Sequence, residues 1–326
     1  MPLLLIVHNR IPDPLTEEER DLLHQIEAVS ASAQRLGWRV ETQILTLNMH
    51  EGRLAIAAKK PDCIFNLVES LDGDDRFIPA APLLYESLRI PYTGSSSAAM
   101  ATTSNKLAAK QIMRSAGIST ARWERITDKS RPPLPYPFII KTATDHASVD
   151  IDDGSVINDA AGWHKWFERR SGVLRPGLFA ESYIDGREFN LSMLQQGSGT
   201  CVVLPPAEIL FNNYPEGKPR IVGYAAKWEE QAFEYENTPR QFSDDVADEP
   251  LHRRLIEVSR TCWELFSLGG YVRVDFRVDA AGSPFVLEVN ANPCISPWAG
   301  FVAACDRAAI SYDSMIGHIL DSALGR

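Results

Sequence analysis

The 326-residue sequence predicts an α/β protein, with an N-terminal parallel α/β subdomain followed by two α+β subdomains. In the first hundred residues, strand and helix patterns alternate, which implies a parallel sheet with helices on its faces. Further along, strand patterns come in neighbouring pairs with single helices between them. With 44% hydrophobic and 23% charged residues, the composition is that of a globular protein with an extensive core.

The N-terminal elements follow from hydrophobic periodicity and from capping signals. Buried strands are predicted over residues 3–8, 40–45 and 62–68. A helix begins after Thr16, because a threonine followed by acidic residues favours a helix N-terminus, and it ends at Gly37. Residues 90–94 predict a short strand that leaves this layer.

The rest of the chain predicts two mixed subdomains. Helices are expected over 103–116, 159–170 and 251–265, and strands over 138–141, 179–183, 188–194, 271–278 and 284–289. Residues 212–250 have no clear period, and a stretch of that length without regular structure is usually functional or mobile. We therefore expect an N-terminal domain over 1–95, a central subdomain over 96–200 and a C-terminal subdomain over 201–326.

The net charge argues against a nucleic-acid partner. The sequence has 33 Lys and Arg against 43 Asp and Glu, a formal charge of −10. A net acid without a basic domain binds phosphate backbones poorly. Residues 229–249 hold eight acids and one base, Arg240, and so account for −7 of this charge. That acidic run is either solvated surface or a recognition element for a substrate ammonium group.

Hydrophobic segments and cysteines indicate a cytoplasmic protein without a membrane partner. The apolar run 3–7 is too short for a signal-peptide core, and no stretch of about 18 uncharged apolar residues is present to span a membrane. Five cysteines are scattered without a CxxC pair, which is typical of a reducing compartment.

A polar pattern near the C-terminus predicts a pair of facing carboxylates. The strands over 271–279 and 284–290 alternate polar and apolar residues, so each carries its polar side chains on one face. A four-residue hairpin loop over 280–283 places Asp279 opposite the first residue of the second strand. Counting back from there places Asp275 opposite Glu288.

Facing carboxylates destabilise a sheet unless a cation neutralises them. The same register places Arg273 opposite Asn290, next to the pair formed by Asp275 and Glu288. A hard oxygen set of Asp, Glu and Asn suits an Mg²⁺ ion that is also bound by phosphates. The alternative is an exposed polar face on an edge hairpin, which shows the same alternation.

Two lysines also stand in marked contexts. Lys106 lies at a helix start, and Lys141 ends an apolar strand and precedes a loop of small residues that includes Ser148. Backbone N–H groups of such a loop can close over phosphates. The alternative for Lys141 is a side chain that runs along apolar surface to reach solvent.

Six fragments, in order along most of the chain, resemble the ATP-grasp superfamily and, within it, the D-alanine–D-alanine ligase-like branch. They are IPYTGS (90–95) followed by Lys106, FIIK (138–141), AESYIDGRE (180–188), AKW (226–228), RVD (273–275) and LEVNANP (287–293). Each fragment is weak by itself, and their common order makes the resemblance specific. It implies the ATP-grasp fold, in which the two α+β subdomains clasp ATP.

The resemblance implies which residues bind the nucleotide. Lys106 and Lys141 would hold the α- and β-phosphates of ATP, beneath the loop that contains Ser148. Glu188 would bind the ribose hydroxyls. The hinge beside adenine would consist of Glu181, Ser182, Tyr183 and Ile184.

The resemblance also implies the catalytic and metal-binding residues. Arg273 would steady the acyl oxygen, and Lys227 would reach the γ-phosphate from a mobile loop. The ligands of Mg²⁺, with Mn²⁺ as a second candidate ion, would be Asp275, Glu288 and Asn290.

The implied reaction is the ATP-dependent joining of a carboxylate to an amine, most simply between amino acids. Transfer of the γ-phosphoryl group gives an acyl phosphate, which the amine attacks, and ADP and phosphate are released. Residues 212–250 would form a lid that excludes water. The alternatives are a true D-alanine–D-alanine ligase and a nucleotide-binding module that has lost catalysis. Relatives are often dimers, and by that analogy alone a homodimer is a candidate assembly.

Departures from the family pattern concern the substrate more than the reaction. Residues 8–14 replace the family's glycine-rich turn and its Ser-x-Glu, whose glutamate binds the ammonium of the first substrate. Glu18 and Glu69 are the two acids that could take that place. Trp228 stands where tyrosine is common, and Ala147 and Ser148 replace two serines over the phosphates.

Cys294 stands where the family has a glycine whose N–H helps to form the oxyanion hole. It is either a reactive thiol or a small buried residue that tolerates the local backbone. Ser296, two residues further on, is another candidate for substrate contact.

Overall fold

A computed structural model shows that the chain forms three β-sheets. The structure describes residues 1–12, 14–145, 148, 150–170, 174–197 and 199–325. Two positions at which the sequence departs from the family pattern lie outside these ranges. They are Ala147 and, in the segment 8–14, Asp13.

The first sheet is parallel, as predicted, and has helices on both faces. Its strands are β1 (Leu3–Asn9), β2 (Arg39–Leu45) and β3 (Cys63–Leu67), in the order β2-β1-β3, and its helices are α1 (Glu17–Arg35), α2 (Met49–Lys59) and α3 (Ala80–Leu88). Strand β1 is buried along its length because alternate residues enter two cores. Leu4 and Ile6 pack with α1, whereas Leu5 and Val7 pack with α2 and α3.

The predicted ends of α1 are confirmed, whereas the prediction for residues 90–94 is not. Thr16 and Glu19 form a capping box at the start of α1, and Gly37, with φ of +89°, follows its end. The prediction that residues 90–94 leave the layer is wrong. Tyr92 forms a single parallel bridge to Ile64 of β3, and the neighbouring Pro91 has no N–H with which to extend the pairing.

The second sheet is antiparallel, with the order β4-β7-β5-β6. The elements of this region are α4 (Ser97–Thr103), α5 (Lys106–Ser115), β4 (Trp123–Arg125), β5 (Phe138–Thr142), β6 (Val156–Ile157), α6 (Ala160–Arg169) and β7 (Leu178–Ser182). The predicted helix over 103–116 is wrong at its start. Thr103 ends α4, and the Asn105 side chain caps α5 by accepting from Leu107 N and Ala108 N, both at 3.1 Å.

The third sheet is antiparallel and has the order β11-β10-β8-β12-β13, with β9 also paired to β8. Its region contains β8 (Arg187–Gln196), β9 (Thr200–Val203), β10 (Ala207–Ile209), α7 (Tyr224–Trp228), α8 (Phe233–Asn237), β11 (Arg240–Gln241), α9 (Glu249–Leu265), β12 (Tyr271–Val278), β13 (Pro284–Asn290), α10 (Gly300–Arg307) and α11 (Tyr312–Ala323). Helices α5 and α9 cover its apolar face, where Met113 and Leu255 share a core with Val274. Among the described helices, none is long and apolar enough to cross a membrane.

The sequence suggested that residues 212–250 lack regular structure, and this expectation is wrong. The segment contains α7, α8, β11 and the first residues of α9. Helices α7 and α8 are five residues long each, which is less than two turns. A helix that short has no second turn in which an apolar position could recur, so it produces no periodic signal.

The pairing of β12 with β13 confirms the predicted partners and corrects the loop. Asp275 lies opposite Glu288 and Arg273 opposite Asn290. However, Pro284 pairs with Val278 rather than with Asp279, so the loop is one residue longer than predicted. A bulge between the two halves of the ladder compensates for that extra residue.

A glycine contact between distant parts of the chain predicts a large effect on stability. Gly270 has φ of +71°, and a Cβ built on it would lie 2.8 Å from Gly94 Cα. Gly282 has a similar φ of +75° but no atom within 4 Å of a Cβ. We expect Gly282→Ala to lower the free energy of unfolding by about 1 kcal/mol through backbone strain, and Gly270→Ala by about 3 kcal/mol or more.

Denaturant unfolding of both variants and of the unmodified protein measures these two losses. Equal losses for Gly270→Ala and Gly282→Ala would contradict the importance of the close approach to Gly94.

Candidate active site

The polar face of the third sheet brings the predicted residues into rows across three strands. Residue pairing places Asn190 of β8, Asp275 of β12 and Glu288 of β13 side by side. The next row contains Ser192, Arg273 and Asn290. The opposite face of β12 is apolar and fully buried. The alternation that was predicted from sequence therefore separates a core face from a site face.

Asp275 is held by two donors on this face. Arg273 donates to both of its carboxylate oxygens, through Nε at 2.7 Å and Nη2 at 2.9 Å, and Asn190 Nδ2 donates to Oδ1 at 2.7 Å. Burial raises the pKa of Asp275, as does the facing Glu288, whereas Arg273 acts in the opposite direction. The two facing carboxylates are thus close enough to disfavour each other's charge.

Lys106 approaches the carboxylates from the N-terminus of α5. Its Nζ lies 3.9 Å from Glu288 Oε2 and donates to the carbonyl oxygen of Asp145. Burial lowers the pKa of Lys106, and Glu288 opposes this effect. The helix start therefore directs a buried cation at the outer edge of the third sheet.

Lys141 of β5 and Glu181 of β7 are diagonal neighbours on adjacent strands of the second sheet. Lys141 Nζ lies 3.0 Å from Glu181 Oε1, and a further lysine, Lys110, lies 2.7 Å from Glu181 Oε2. The Glu181 carboxylate, which was predicted beside adenine, is therefore engaged by two ammonium groups. Its side chain is only 2% exposed.

The other predicted nucleotide residues lie on the turn from β7 to β8. Ser182 N donates to the carbonyl oxygen of Arg122 at 2.8 Å, and Tyr183 N donates to the carbonyl oxygen of Pro137 at 3.1 Å. Ile184 is half-buried. Glu188, at the start of β8, lies 2.7 Å from Arg277 Nη2. Burial raises the pKa of Glu188, and Arg277 opposes that shift.

The segment over 212–250 carries Lys227 into the same site. Burial lowers the pKa of Lys227, whereas the charge of Glu288 acts to raise it. The segment is attached to the central region by Ser148, whose Oγ donates to the carbonyl of Val222 at 2.9 Å. Tyr224 N also donates to the carbonyl of Ile151 at 2.9 Å.

The candidates for substrate contact line the side of the site next to α1. Cys294 Sγ donates to Asp21 Oδ2 at 2.9 Å, and Gln25 Nε2 links Asp21 at 3.3 Å with Glu69 at 3.0 Å. Burial and the neighbouring acids raise the pKa of Cys294 well above its ordinary range, so the thiol remains protonated at neutral pH. Cys294 therefore acts here as a hydrogen-bond donor.

The three remaining candidates for substrate contact lie on α1, on α7 and next to Cys294. Glu18 lies in the first turn of α1, where Lys227 is among the charges that act on it. Ser296 is fully buried, and its Oγ lies 3.2 Å from Cys294 Sγ. Trp228 is half-buried at the end of α7.

Sequence reasoning missed several residues of this site. Lys110 follows Lys106 by one helical turn, and Asn190 follows Glu188 by two residues on the same strand face, so a signal existed for both. Arg277 shares the face of Arg273, but its pairing with Glu188 depends on the register with β8. Asp21 carried no signal, because its partner Cys294 is 273 residues away.

The donor set suits a divalent cation bound together with phosphates. In the described ranges, no three His, Cys, Asp or Glu side chains are grouped so that they could hold a metal ion by themselves. Asp275 and Glu288 could supply two carboxylates and Asn290 an amide oxygen, which would leave the remaining coordination positions to phosphate oxygens and water. Such an incomplete oxygen set fits Mg²⁺ better than it fits a structural metal.

A site of this kind, between two antiparallel α+β units, defines an ATP-grasp type of ligase. The chain belongs to the family described as D-ala D-ala ligase C-terminus, whose sequence model matches residues 109–321. These findings confirm the predicted ATP-grasp fold and the predicted enzyme class, an ATP-dependent ligase that forms C–N bonds.

Individual relatives agree with this assignment. An uncharacterized protein of Sinorhizobium fredii is 28% identical over 268 residues, which is 82% of this chain and 76% of the relative. A D-alanine–D-alanine ligase of Methylococcus capsulatus is 29% identical over 266 residues, covering 80% of this chain and 78% of the relative. The structure of D-alanine–D-alanine ligase from Bacillus anthracis complexed with ATP shares the fold, with a TM-score of 0.74 at 20% identity over 99% of this chain and 98% of that one.

The environment of Glu69 predicts a pH-dependent contribution to stability. Burial raises the pKa of Glu69 from 4.5 to about 7, although the hydrogen bond from Gln25 opposes this shift. The folded state therefore binds the proton more tightly than the unfolded state. The associated stability is fully present below about pH 4.5 and is lost as the pH rises through about 7.

We expect Glu69→Gln, which cannot ionise, to show a smaller fall in Tm between pH 5 and pH 8 than the unmodified protein. Thermal unfolding at constant ionic strength measures this difference, with Glu257→Gln on the exposed side of α9 as the matched control. If Glu69→Gln and Glu257→Gln show the same pH dependence, the raised pKa of Glu69 is contradicted.

Proposed function

We propose that the protein is an ATP-dependent carboxylate–amine ligase that joins two amino acids through an acyl phosphate and releases ADP and phosphate. The observation that carries this proposal is the convergence of three cations, Lys106, Lys227 and Arg273, on the facing carboxylates of β12 and β13. A fourth cation, Lys141, is close enough to Lys106 to lower the pKa of that lysine. Such a site can neutralise a polyphosphate and its divalent cation together.

The nucleotide would lie between the second and third sheets. Lys106 and Lys141 would bind the α- and β-phosphates, with Ser148 in the loop above them. The purine would rest on an apolar cluster that contains Ile139, Val156 and Ile221. Glu181 is occupied by two lysines, and the N–H groups of Ser182 and Tyr183 already donate within the protein. The Ile184 N–H and the carbonyl oxygens of this turn would therefore make the polar contacts to adenine, and Glu188 would bind the ribose.

Mg²⁺, or Mn²⁺ as the second candidate, would be held by Asp275, Glu288 and Asn290. When bound, the ion neutralises charge on the transferring phosphoryl group. Lys227 would bind the γ-phosphate, because it is the cation that the 212–250 segment contributes to the site. Arg273 is held rigidly by its two bonds to Asp275, so its guanidinium would support the acyl oxygen with little loss of side-chain freedom.

The reaction requires that water be excluded once the acyl phosphate has formed. The segment over 212–250 would serve as the lid, because it is tied to the central region in several places. Lys218 pairs with Asp153, and a Cβ on Gly223 would lie 2.7 Å from the carbonyl oxygen of Ile151. These contacts would keep α7 and its Lys227 over the site.

The substrates proposed here are amino acids. Glu18 and Glu69 are the carboxylates that would receive the ammonium group of the first substrate. A second candidate function is that of a true D-alanine–D-alanine ligase, because several relatives carry that name. Cys294 would contact the acyl group through its thiol. Because the family has a glycine at this position, this contact would change which substrate is accepted.

Product analysis tests the proposal. We expect the purified protein, given Mg·ATP and pools of L- or D-amino acids, to release ADP and phosphate only when a suitable pair is present. Glu288→Gln should lower that turnover by about 100-fold or more, because one carboxylate opposite Asp275 is lost. Glu257→Gln, on an exposed helix face, is the matched control.

Release of AMP and pyrophosphate would overturn the acyl-phosphate mechanism. If no amino-acid pool stimulates turnover while ATP still binds, the chain is a nucleotide-binding module instead. Stimulation by D-alanine alone would select the second candidate function.

A further inference from the structure

A cluster of charged side chains around Glu181 contains a second, buried lysine beside Lys141. The side chain of Lys110 is 1% exposed, and its Nζ lies 2.7 Å from Glu181 Oε2 and 2.6 Å from Thr120 Oγ1. On the other side, Glu181 Oε1 lies 3.0 Å from Lys141 Nζ. One carboxylate is therefore shared by two ammonium groups.

The charges of this cluster do not cancel. Two lysines and one glutamate give the cluster a formal charge of +1. Of the three side chains, Lys141 is the most exposed, at 18%, whereas Lys110 and Glu181 are sealed from solvent. The excess positive charge is thus presented at Lys141. Without Lys110, Glu181 would neutralise Lys141, and the cluster would present no net charge.

The protonation of the cluster follows from its geometry. Burial acts against ionisation of Glu181, but Lys110 and Lys141 outweigh it and lower the pKa of Glu181. Burial lowers the pKa of Lys110, and Glu181 opposes that shift. A carboxylate with a lysine on each oxygen is fully paired, which is the condition under which buried charge is tolerated.

The cluster also joins the two sheets of the site. Thr120 Oγ1, which accepts from Lys110, donates to the carbonyl oxygen of Val286 at 2.8 Å. Val286 lies on β13, two residues before Glu288. Lys110 therefore fixes Glu181 of the second sheet relative to the strand that carries a proposed metal ligand.

We propose that Lys110 is a positioning residue, which engages Glu181 so that the charge of Lys141 remains available to the phosphates of the nucleotide. This inference rests on the proposed function only in taking ATP or ADP as the ligand. Lys110 itself does not touch the nucleotide; it acts through the Glu181 carboxylate.

Equilibrium binding of Mg·ADP and of adenosine can be measured by calorimetry. Adenosine lacks the phosphates, so the comparison separates an effect on phosphate binding from a change in the shape of the nucleoside site. We expect Lys110→Met to weaken ADP binding by roughly tenfold, because Lys141 is then neutralised, and to leave adenosine binding within about twofold. In the double variant Lys110→Met, Glu181→Gln, the neutralising carboxylate is gone as well. ADP affinity should return to within about threefold of the unmodified protein.

A purely structural role predicts the opposite pattern. Equal loss of ADP and adenosine binding in Lys110→Met, or a double variant that binds ADP no better than Lys110→Met, would overturn the proposal. If Lys110→Met does not fold, the comparison is between Glu181→Gln and the double variant. We then expect both to bind ADP about equally, and a tenfold weaker double variant would overturn the role of Lys110.

The outcome for the unmodified protein distinguishes this inference from the proposed function. Failure of the unmodified protein to bind Mg·ADP would overturn both. Normal binding that is unaffected by Lys110→Met would overturn only the role of Lys110.

Discussion

The register of β8, β12 and β13 is the constraint on which the rest of the site depends. Side chains alternate between the two faces of a strand, so a slip of one residue would move Arg273 and Asp275 into the core. The apolar residues between them are buried against α5 and α9, which makes such a slip costly. The hydrophobic core on one face of the sheet therefore determines the positions of the charges on the other.

The bulge in β13 is part of that constraint. Val286 and Val289 are both buried in the same core although they are three residues apart, which regular alternation does not allow. The irregularity lets Val286 face the core while Glu288 faces the site. A bulge beside a functional residue is a common way to redirect a side chain.

The net charge of the whole chain says little about this site. Much of the acidic run 229–249 has partners elsewhere on the chain: Glu234 pairs with Lys218, and Asp248 pairs with Arg187. Meanwhile the buried lysines and Arg273 gather where the sheets meet. An acidic protein can therefore offer a cationic pocket to one small polyanion.

Much of this arrangement was predictable from sequence because it depends on short-range patterns. The alternation in β12 and β13, the capping residues of α1 and the ordered motifs are all local. The prediction of Asp275 opposite Glu288 succeeded although the loop was taken as one residue too short, because the unpredicted bulge offset that error. Contacts such as Lys110 with Glu181, or Asp21 with Cys294, join residues 71 and 273 positions apart, and no local pattern signals them. The short helices α7 and α8 escaped prediction for the related reason that they contain no repeat.

The central claim is that this site activates a carboxylate by phosphorylating it, and oxygen transfer tests that claim most directly. An amino acid that supports turnover would be supplied with both carboxylate oxygens labelled with ¹⁸O, and the released phosphate would be examined by mass spectrometry. Attack of the carboxylate on the γ-phosphorus, followed by cleavage of the acyl C–O bond by the amine, leaves one labelled oxygen in the phosphate and one in the new amide. We expect one ¹⁸O in each phosphate released; unlabelled phosphate would contradict an acyl-phosphate intermediate.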